Sequence, residues 1–403
     1  MSPPTILYTT SDASPQSGAF RQVFEMNKHM AELGFRPVLV LPQAPPRSLL
    51  DGGSASAVNV MPLPRPRTGR SARQYAGDVI QTARSIRRLS RLIRREHVAV
   101  VHVNEILDVY GAVAAKVAGV PCVWHLRADL SSAPTFVQTW LPRIVLALST
   151  KVVSVSASAS EHTFRGRGAG SGKVSVIHNP GPDPSVFHPN VDGSSVRRDL
   201  GLADDALLVI LVAKLSERKG HEVFIRAAPK VLASFPDARF VIVGGELEGE
   251  HHRRYARLLR QLPAELGVEE AVVFAGYRGD VPQIMAAADI VTHCSTYPDP
   301  FPGVVLQAMA SGKPVIASDI GGPREQIEGG TSGILIPPND PDVLADAICV
   351  LLADPDGRAR LGQAAALRVA SAFTADSFYR QLADLYEQVS HSGQRGDRVG
   401  GIA

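Results

Sequence analysis

Short apolar runs alternate with stretches of helical period along nearly the whole chain. Thr5–Thr9 is the first such run, and a polar, glycine-containing loop over Ser11–Gly18 follows it. A helical stretch over Phe20–Leu33 ends at Gly34 and leads into a second run, Pro37–Leu41. Ala99–Val103 reads as a strand, Val109–Ala118 as a helix closed by Gly119, and Pro121–His125 and Val152–Val155 as further strands. Buried β-branched runs separated by helices predict an α/β protein with parallel sheets covered on both faces. Pro42–Arg73, rich in proline, arginine and serine, reads as a long surface excursion.

The pattern then restarts. Asn179–Pro182 and Phe187–Pro189 are turn-rich and read as a linker. Beyond them Leu207–Val212 predicts a strand, His221–Leu232 a helix, and Phe240–Val243 a strand ending in Gly244 and Gly245. Arg253–Leu262 predicts a helix, and Ala271–Phe274, Ile290–Cys294, Pro314–Ser318 and Gly333–Ile336 predict strands with helices between. A chain of 403 residues exceeds the ~250–300 at which single cores stop growing, so two domains are expected. They are placed at 1–190 and 191–374, with a helix at 375–390 packing back on the first and a disordered polar tail at 391–403. Open parallel sheets bind ligands beyond the carboxyl ends of their strands, so the residues just after strands are the ones to weigh.

Composition narrows the class. The chain is 45% hydrophobic and 20% charged, as ordinary globular proteins are. No apolar run approaches the ~18 residues of a membrane span, and the start has no basic leader segment, so a soluble cytoplasmic protein is expected. Cys122, Cys294 and Cys349 are too few and too scattered for a disulfide framework or a zinc site. The net charge of +3 gives no reason to expect a nucleic-acid partner. Its distribution is uneven, however: Arg65–Arg95 holds ten arginines against one acid, Asp78. Arg84, Arg88, Arg91 and Arg95 recur at helical spacing while Ile86, Leu89 and Ile93 line another face. Either a solvated outer face or a docking surface for anionic membrane or a phosphorylated acceptor fits this helix.

The run from Tyr297 to Gly322 carries the densest chemistry. It reads as a Pro/Gly loop, a short helix from about Val304 and a strand. A helix start after such a loop offers unpaired N–H groups and the positive dipole end to an anion. Asp299 on the loop and Gln307 in the helix lie eight positions apart. Two lysines, Lys214 and Lys219, bracket the loop after the Leu207–Val212 strand, where they could neutralise a diphosphate. No Asp-x-Asp metal motif follows a strand.

This frame resembles the retaining glycosyltransferases of family 4, over nearly the whole chain and most specifically over 205–340. The resemblance implies the GT-B fold, with two facing Rossmann-like domains, parallel sheets and an interdomain cleft. The family hallmark is a glutamate pair eight positions apart; the frame Pro298–Gly312 matches, but Asp299 and Gln307 replace the glutamates. By resemblance Asp299 holds donor-sugar hydroxyls and Gln307 meets the ribose. Gln307 keeps an acceptor oxygen without charge, which implies a bond roughly half as strong. Lys214, where the family has arginine, and Lys219 correspond to phosphate ligands. His125 corresponds to a histidine lining the sugar pocket, Gly18 to one glycine of a pair near the donor, and Tyr277 or Arg278 to residues flanking the base. Glu325 falls near the donor, and the backbone of Pro302, Gly303, Val304 and Val305 lies at the diphosphate. The implied activity moves a hexose from a nucleotide-diphosphate sugar to a glycan, lipid-linked or small-molecule acceptor, with retention, without metal and without a further cofactor. A nucleotide-sugar epimerase and a non-catalytic nucleotide-sugar binding protein are the competing readings.

Overall fold

The computed structural model describes residues 3–11, 18–45, 57–63, 72–128, 130, 133–167, 172–203 and 206–396. It divides into two compact units, Met1–His178 with Asp376–Ala403 and Asn179–Ala375. Each is built on one parallel sheet, so the α/β class expected from the alternating pattern holds. Among the described residues, no helix is long and apolar enough to cross a membrane.

The first unit contains β1 (Thr5–Thr9), α1 (Gly18–Glu32), β2 (Arg36–Leu41), β3 (Ala57–Val60), α2 (Ala72–Arg95), β4 (Val98–Val103), α3 (Val109–Ala118), β5 (Cys122–Leu126), α4 (Thr135–Leu148), β6 (Lys151–Ser154), α5 (Ala157–Phe164) and β7 (Val174–Val176). The strand order is β3-β2-β1-β4-β5-β6-β7, parallel throughout. The central strands are apolar on both faces because both are covered. Val101, Val103 and Trp124 pack with Leu89 and Ile93 of α2 and Val145 of α4, whereas Tyr8, Val100 and Val123 pack with Phe20 and Met26 of α1. One correction concerns the proposed excursion at 42–73: Ala57–Val60 pairs with β2 as an edge strand, in register from Val38↔Ala57 to Leu41↔Val60.

The second unit contains α6 (Ser194–Asp199), β8 (Leu208–Val212), α7 (His221–Ser234), β9 (Arg239–Val243), α8 (Glu250–Glu265), β10 (Val272–Gly276), α9 (Val281–Ala287), β11 (Ile290–His293), α10 (Gly303–Ala310), β12 (Val315–Ser318), α11 (Pro323–Gln326), β13 (Ile334–Ile336), α12 (Pro341–Ala353) and α13 (Pro355–Ala372). Its order is β10-β9-β8-β11-β12-β13, again all parallel.

The final helix, α14 (Ala375–Gly396), packs on the first unit's sheet. Phe378, Tyr379, Leu382, Leu385, Tyr386 and Val389 are all buried there against Ile6, Tyr8, Val100 and Val123. At ~1.5–3 kcal/mol per large apolar side chain, the seam contributes roughly 10 kcal/mol before ordering costs, comparable with a whole domain's net stability. The helix runs six residues past the expected end at 390, because helical geometry continues: the His391 ring lies 2.7 Å from the Glu387 carbonyl. Residues 397–403 of the expected tail lie outside the described residues.

Asp108 caps α3 and is fully buried. Burial pushes its carboxyl up to about 6. The sign follows: a carboxyl raised in the fold costs nothing below its ordinary value near 4, and the fold loses stability as pH rises through about 6. Asp108→Asn keeps a capping oxygen and removes the charge. Thermal melts should therefore show the variant equal to wild type at pH 4 and more stable at pH 8, by no more than about 3 kcal/mol. Parallel melting curves across that range would contradict the burial argument.

Candidate functional site

In the second unit the loop after β8 is set by two glycines that admit no side chain. A Cβ on Gly244 would lie 1.8 Å from the Ala213 carbonyl oxygen. Gly220 has φ +68°, and a Cβ there would lie 1.8 Å from the Cys294 carbonyl oxygen. The short turn Glu217–Lys219 between them is tied to the segment after β11: the Thr296 N–H donates to the Arg218 carbonyl at 3.0 Å and the Thr296 hydroxyl to the Glu217 carbonyl at 3.1 Å.

This docking delivers Lys219 Nζ onto Asp299 Oδ2 as a hydrogen-bonded ion pair. His293 Nε2 lies 3.4 Å from the same oxygen, at the carboxyl end of β11. Burial alone would push the Asp299 carboxyl up, but the Lys219 ammonium and the His293 hydrogen bond outweigh it and hold the group well below the usual carboxylate range. His293 is itself pushed down by burial, against the pull of Asp299. The ring is therefore neutral at pH 7, and Lys219 supplies the charge that keeps Asp299 ionised.

The Asp299 loop rests on Gly321 and Gly322. A Cβ on Gly321 would meet the Asp299 carbonyl at 2.5 Å, and the Gly322 N–H donates to that carbonyl at 2.7 Å. Gln326 Nε2 donates to the Pro302 carbonyl at 3.0 Å. A rigid loop thus feeds α10, whose first residue is Gly303 after Pro302, with no side-chain cap. A Cβ on Gly303 would meet nothing within 4 Å, so no protein packing demands glycine there, and the open backbone suits an incoming anion. Gln307 lies one helical turn beyond Gly303, on the same face and half-buried. Val304 is half-buried in the first turn, and Val305 is buried.

The other expected residues fall around this centre less tightly. Lys214 is exposed just past β8. Tyr277 follows β10, two-thirds exposed, with its Cβ 3.4 Å from where a Gly245 Cβ would sit. Arg278 has another job than flanking a base: its guanidinium pairs with Asp280 at 2.6 Å and Asp199 at 3.1 Å. Glu325 is half-buried in the four-residue α11, its carbonyl accepting from Arg368 at 3.0 Å.

In the first unit His125 stands near the carboxyl end of β5, fully buried. Its Nδ1 lies 3.3 Å from Nε2 of His102 and 3.3 Å from Nη2 of Arg127, while its buried Nε2 has no hydrogen-bond partner. Burial, aided by the Arg127 charge, pushes the His125 pKa well down, so the ring is neutral. Gly18 opens α1, and the rest of the expected Ser14–Gly18 loop lies outside the described residues. Three residues of these sites escaped the sequence reading. His293 gave a signal, a histidine at a strand's carboxyl end like His125. Arg127, two residues past His125, gave a weaker one. His102 was assigned a purely structural role, which its contact with His125 overturns.

Two parallel-sheet units, with a lysine–aspartate pair and an open helix start beyond one sheet's carboxyl edge, define a GT-B glycosyltransferase. The chain matches the pattern of the family described as Glycosyltransferase Family 4 over residues 16–180 and that described as Glycosyl transferases group 1 over 193–368. It belongs to glycosyltransferase family 4. Among curated relatives, the D-inositol 3-phosphate glycosyltransferase of Stackebrandtia nassauensis is 34% identical over 226 residues, 54% of this chain and 50% of that protein. The UDP-Gal:alpha-D-GlcNAc-diphosphoundecaprenol alpha-1,3-galactosyltransferase of Escherichia coli is 27% identical over 281 residues, 67% of this chain and 70% of that one. The chain spans about half the length of the first listed of these relatives. Among solved structures, HepE of Anabaena in complex with UDP and glucose matches at 26% identity with a TM-score of 0.81, covering 96% of this chain and all of that one.

Proposed function

We propose that this chain transfers a hexose from a nucleoside diphosphate sugar to an acceptor hydroxyl, without a metal ion and with retention at the anomeric carbon. The observation that carries the reading is the Lys219–Asp299 pair beside the open start of α10. An ionised carboxylate at that place suits a sugar's hydroxyls. Lys214, Lys219 and the amides of Gly303 to Val305 suit the charge that grows on the departing diphosphate, which is electrostatic stabilisation of the transition state. Gln307, one turn along α10, suits a ribose hydroxyl. In the transfer the bond from the anomeric carbon to the diphosphate oxygen breaks, a bond to the acceptor oxygen forms, and the acceptor's proton passes to the leaving diphosphate on the same face. His125 and its unpartnered Nε2 suit a sugar hydroxyl. HepE has been solved with UDP and with UDP-glucose, so uridine diphosphate hexoses are the donors to test first.

The test is diphosphate release from a panel of nucleotide sugars, with and without acceptor extracts, in EDTA. Acceptor-dependent release supports the transferase. Release of a rearranged free sugar without acceptor would favour the epimerase instead, and binding without release the binding protein.

A lipid-linked acceptor at an anionic membrane extends this reading. Arg84, Arg87, Arg88 and Arg91 are exposed along α2, and Phe136 and Trp140 are exposed one turn apart on α4. At about 1 kcal/mol per arginine near an anionic surface, replacing Arg84, Arg88 and Arg91 with glutamine should weaken co-sedimentation with phosphatidylglycerol vesicles at least tenfold. Unchanged sedimentation would remove the extension.

A further inference from the structure

A chain of buried polar groups runs from the C-terminal helix to His125, and its direction can be read from the donors and acceptors alone. The Tyr386 hydroxyl on α14 lies 2.7 Å from His102 Nδ1, across 284 positions of sequence. His102 Nε2 lies 3.3 Å from His125 Nδ1. Tyr386, His102 and His125 are each fully buried. Arg127 Nη2 also approaches His125 Nδ1, at 3.3 Å. A guanidinium only donates, so His125 Nδ1 must be an acceptor. A neutral imidazole then carries its proton on Nε2, and His102 must meet His125 Nδ1 with its own Nε2–H. His102 Nδ1 is left as an acceptor, and the Tyr386 hydroxyl donates to it. Burial holds both rings neutral, consistent with this assignment.

The result is a one-way relay ending in a buried Nε2–H that has no partner in the protein. A buried N–H without a partner costs about 1–3 kcal/mol, so such a group invites a ligand atom. We propose that Tyr386 is a positioning residue: through His102 it fixes His125 in the tautomer that presents Nε2–H to an acceptor oxygen of the bound sugar. The inference rests on the proposed function for the sugar, but the relay itself is a property of the first unit. A histidine whose tautomer is set by a second hydrogen-bonded group is a recurrent device in catalytic and metal sites. Here the second group comes from the last helix of the chain, which gives that helix a role beyond covering the sheet.

The test uses the full chain labelled with ¹⁵N-histidine, with His125 assigned by its loss in His125→Gln. Two-bond ¹H–¹⁵N spectra of wild type should show His125 as the neutral Nε2–H tautomer. Tyr386→Phe should shift it toward a mixture of tautomers and lower UDP-glucose turnover five- to tenfold while UDP affinity stays within twofold. His102→Gln supplies an amide that stands where Nε2 stands and donates without instruction from Tyr386. In that background Tyr386→Phe should change neither the spectrum nor the rate. His125 found as Nδ1–H in wild type, or a tautomer indifferent to Tyr386→Phe, would overturn the relay. An equal loss of rate from Tyr386→Phe in both backgrounds would also overturn it, since that is what simple loosening of α14 would give. Failure of wild type to turn over any nucleotide sugar would strike the proposed function instead, and the spectra would still decide the relay.

Discussion

Asp299→Ala is expected to lower sugar transfer about 10²–10³-fold while UDP affinity changes less than threefold, the scale seen when one preorganised charged partner is removed from a reacting centre. Asp299 stands at the sugar end of the proposed donor, with Lys219 and His293 on its Oδ2. Removing it takes away a carboxylate held ionised at every ordinary pH and leaves the half-exposed Lys219 free to reach the diphosphate. Nucleotide binding should therefore survive, or even tighten slightly. Asp299→Glu places the family's usual carboxylate on a longer arm and should retain activity, because Lys219 and His293 remain to hold it. The measurements are steady-state transfer and UDP titration on each variant. Equal losses of transfer and UDP affinity in Asp299→Ala would contradict the sugar-contact role and assign Asp299 to the nucleotide.

The second large effect is on folding. Gly220→Ala puts a methyl 1.8 Å from the Cys294 carbonyl oxygen and 2.7 Å from its carbon, at a φ of +68°. Left-handed backbone costs an alanine roughly 1–2 kcal/mol by itself. The clash adds more, because its partner is backbone at the end of β11, a strand hydrogen-bonded on both sides. A total of about 3–5 kcal/mol is a large share of a domain's net stability. The melting temperature should fall by roughly 10 °C or more. Gly303→Ala is the contrast: with nothing within 4 Å of the new methyl, it should leave the melting temperature unchanged yet weaken donor binding by crowding the diphosphate. A stable Gly220→Ala would mean that the turn bearing Lys219 can move away from β11, and the rigid pairing of Lys219 with Asp299 would go with it.

Much of this architecture was legible along the chain. Runs such as Val98–Val103 and Arg239–Val243 are apolar on both faces because both are covered, and that pattern survives without any tertiary knowledge. Ala57–Val60 was not legible: an edge strand of four residues inside a Pro/Ser/Gly-rich stretch carries too few positions for a period to show. At the site, Lys219 and Asp299 lie 80 positions apart and were joined by the resemblance rather than by any periodicity. Nothing comparable linked His102 to Tyr386, or Arg278 to Asp199. Such pairings are decided by how the chain returns on itself, and local sequence holds no record of them. The open backbone at Gly303 was half legible: a glycine at a helix start was visible, but the empty space around it required the fold.

The central claim is that the Lys219–Asp299 centre drives sugar transfer without a metal ion. Diphosphate release from UDP-glucose, UDP-galactose and other nucleotide sugars, measured in EDTA with and without acceptor, tests it most directly. The account predicts release that persists in EDTA, requires the acceptor and disappears in Asp299→Ala. Release abolished by EDTA and restored by a divalent cation, or tight donor binding with no release under any condition, would contradict it.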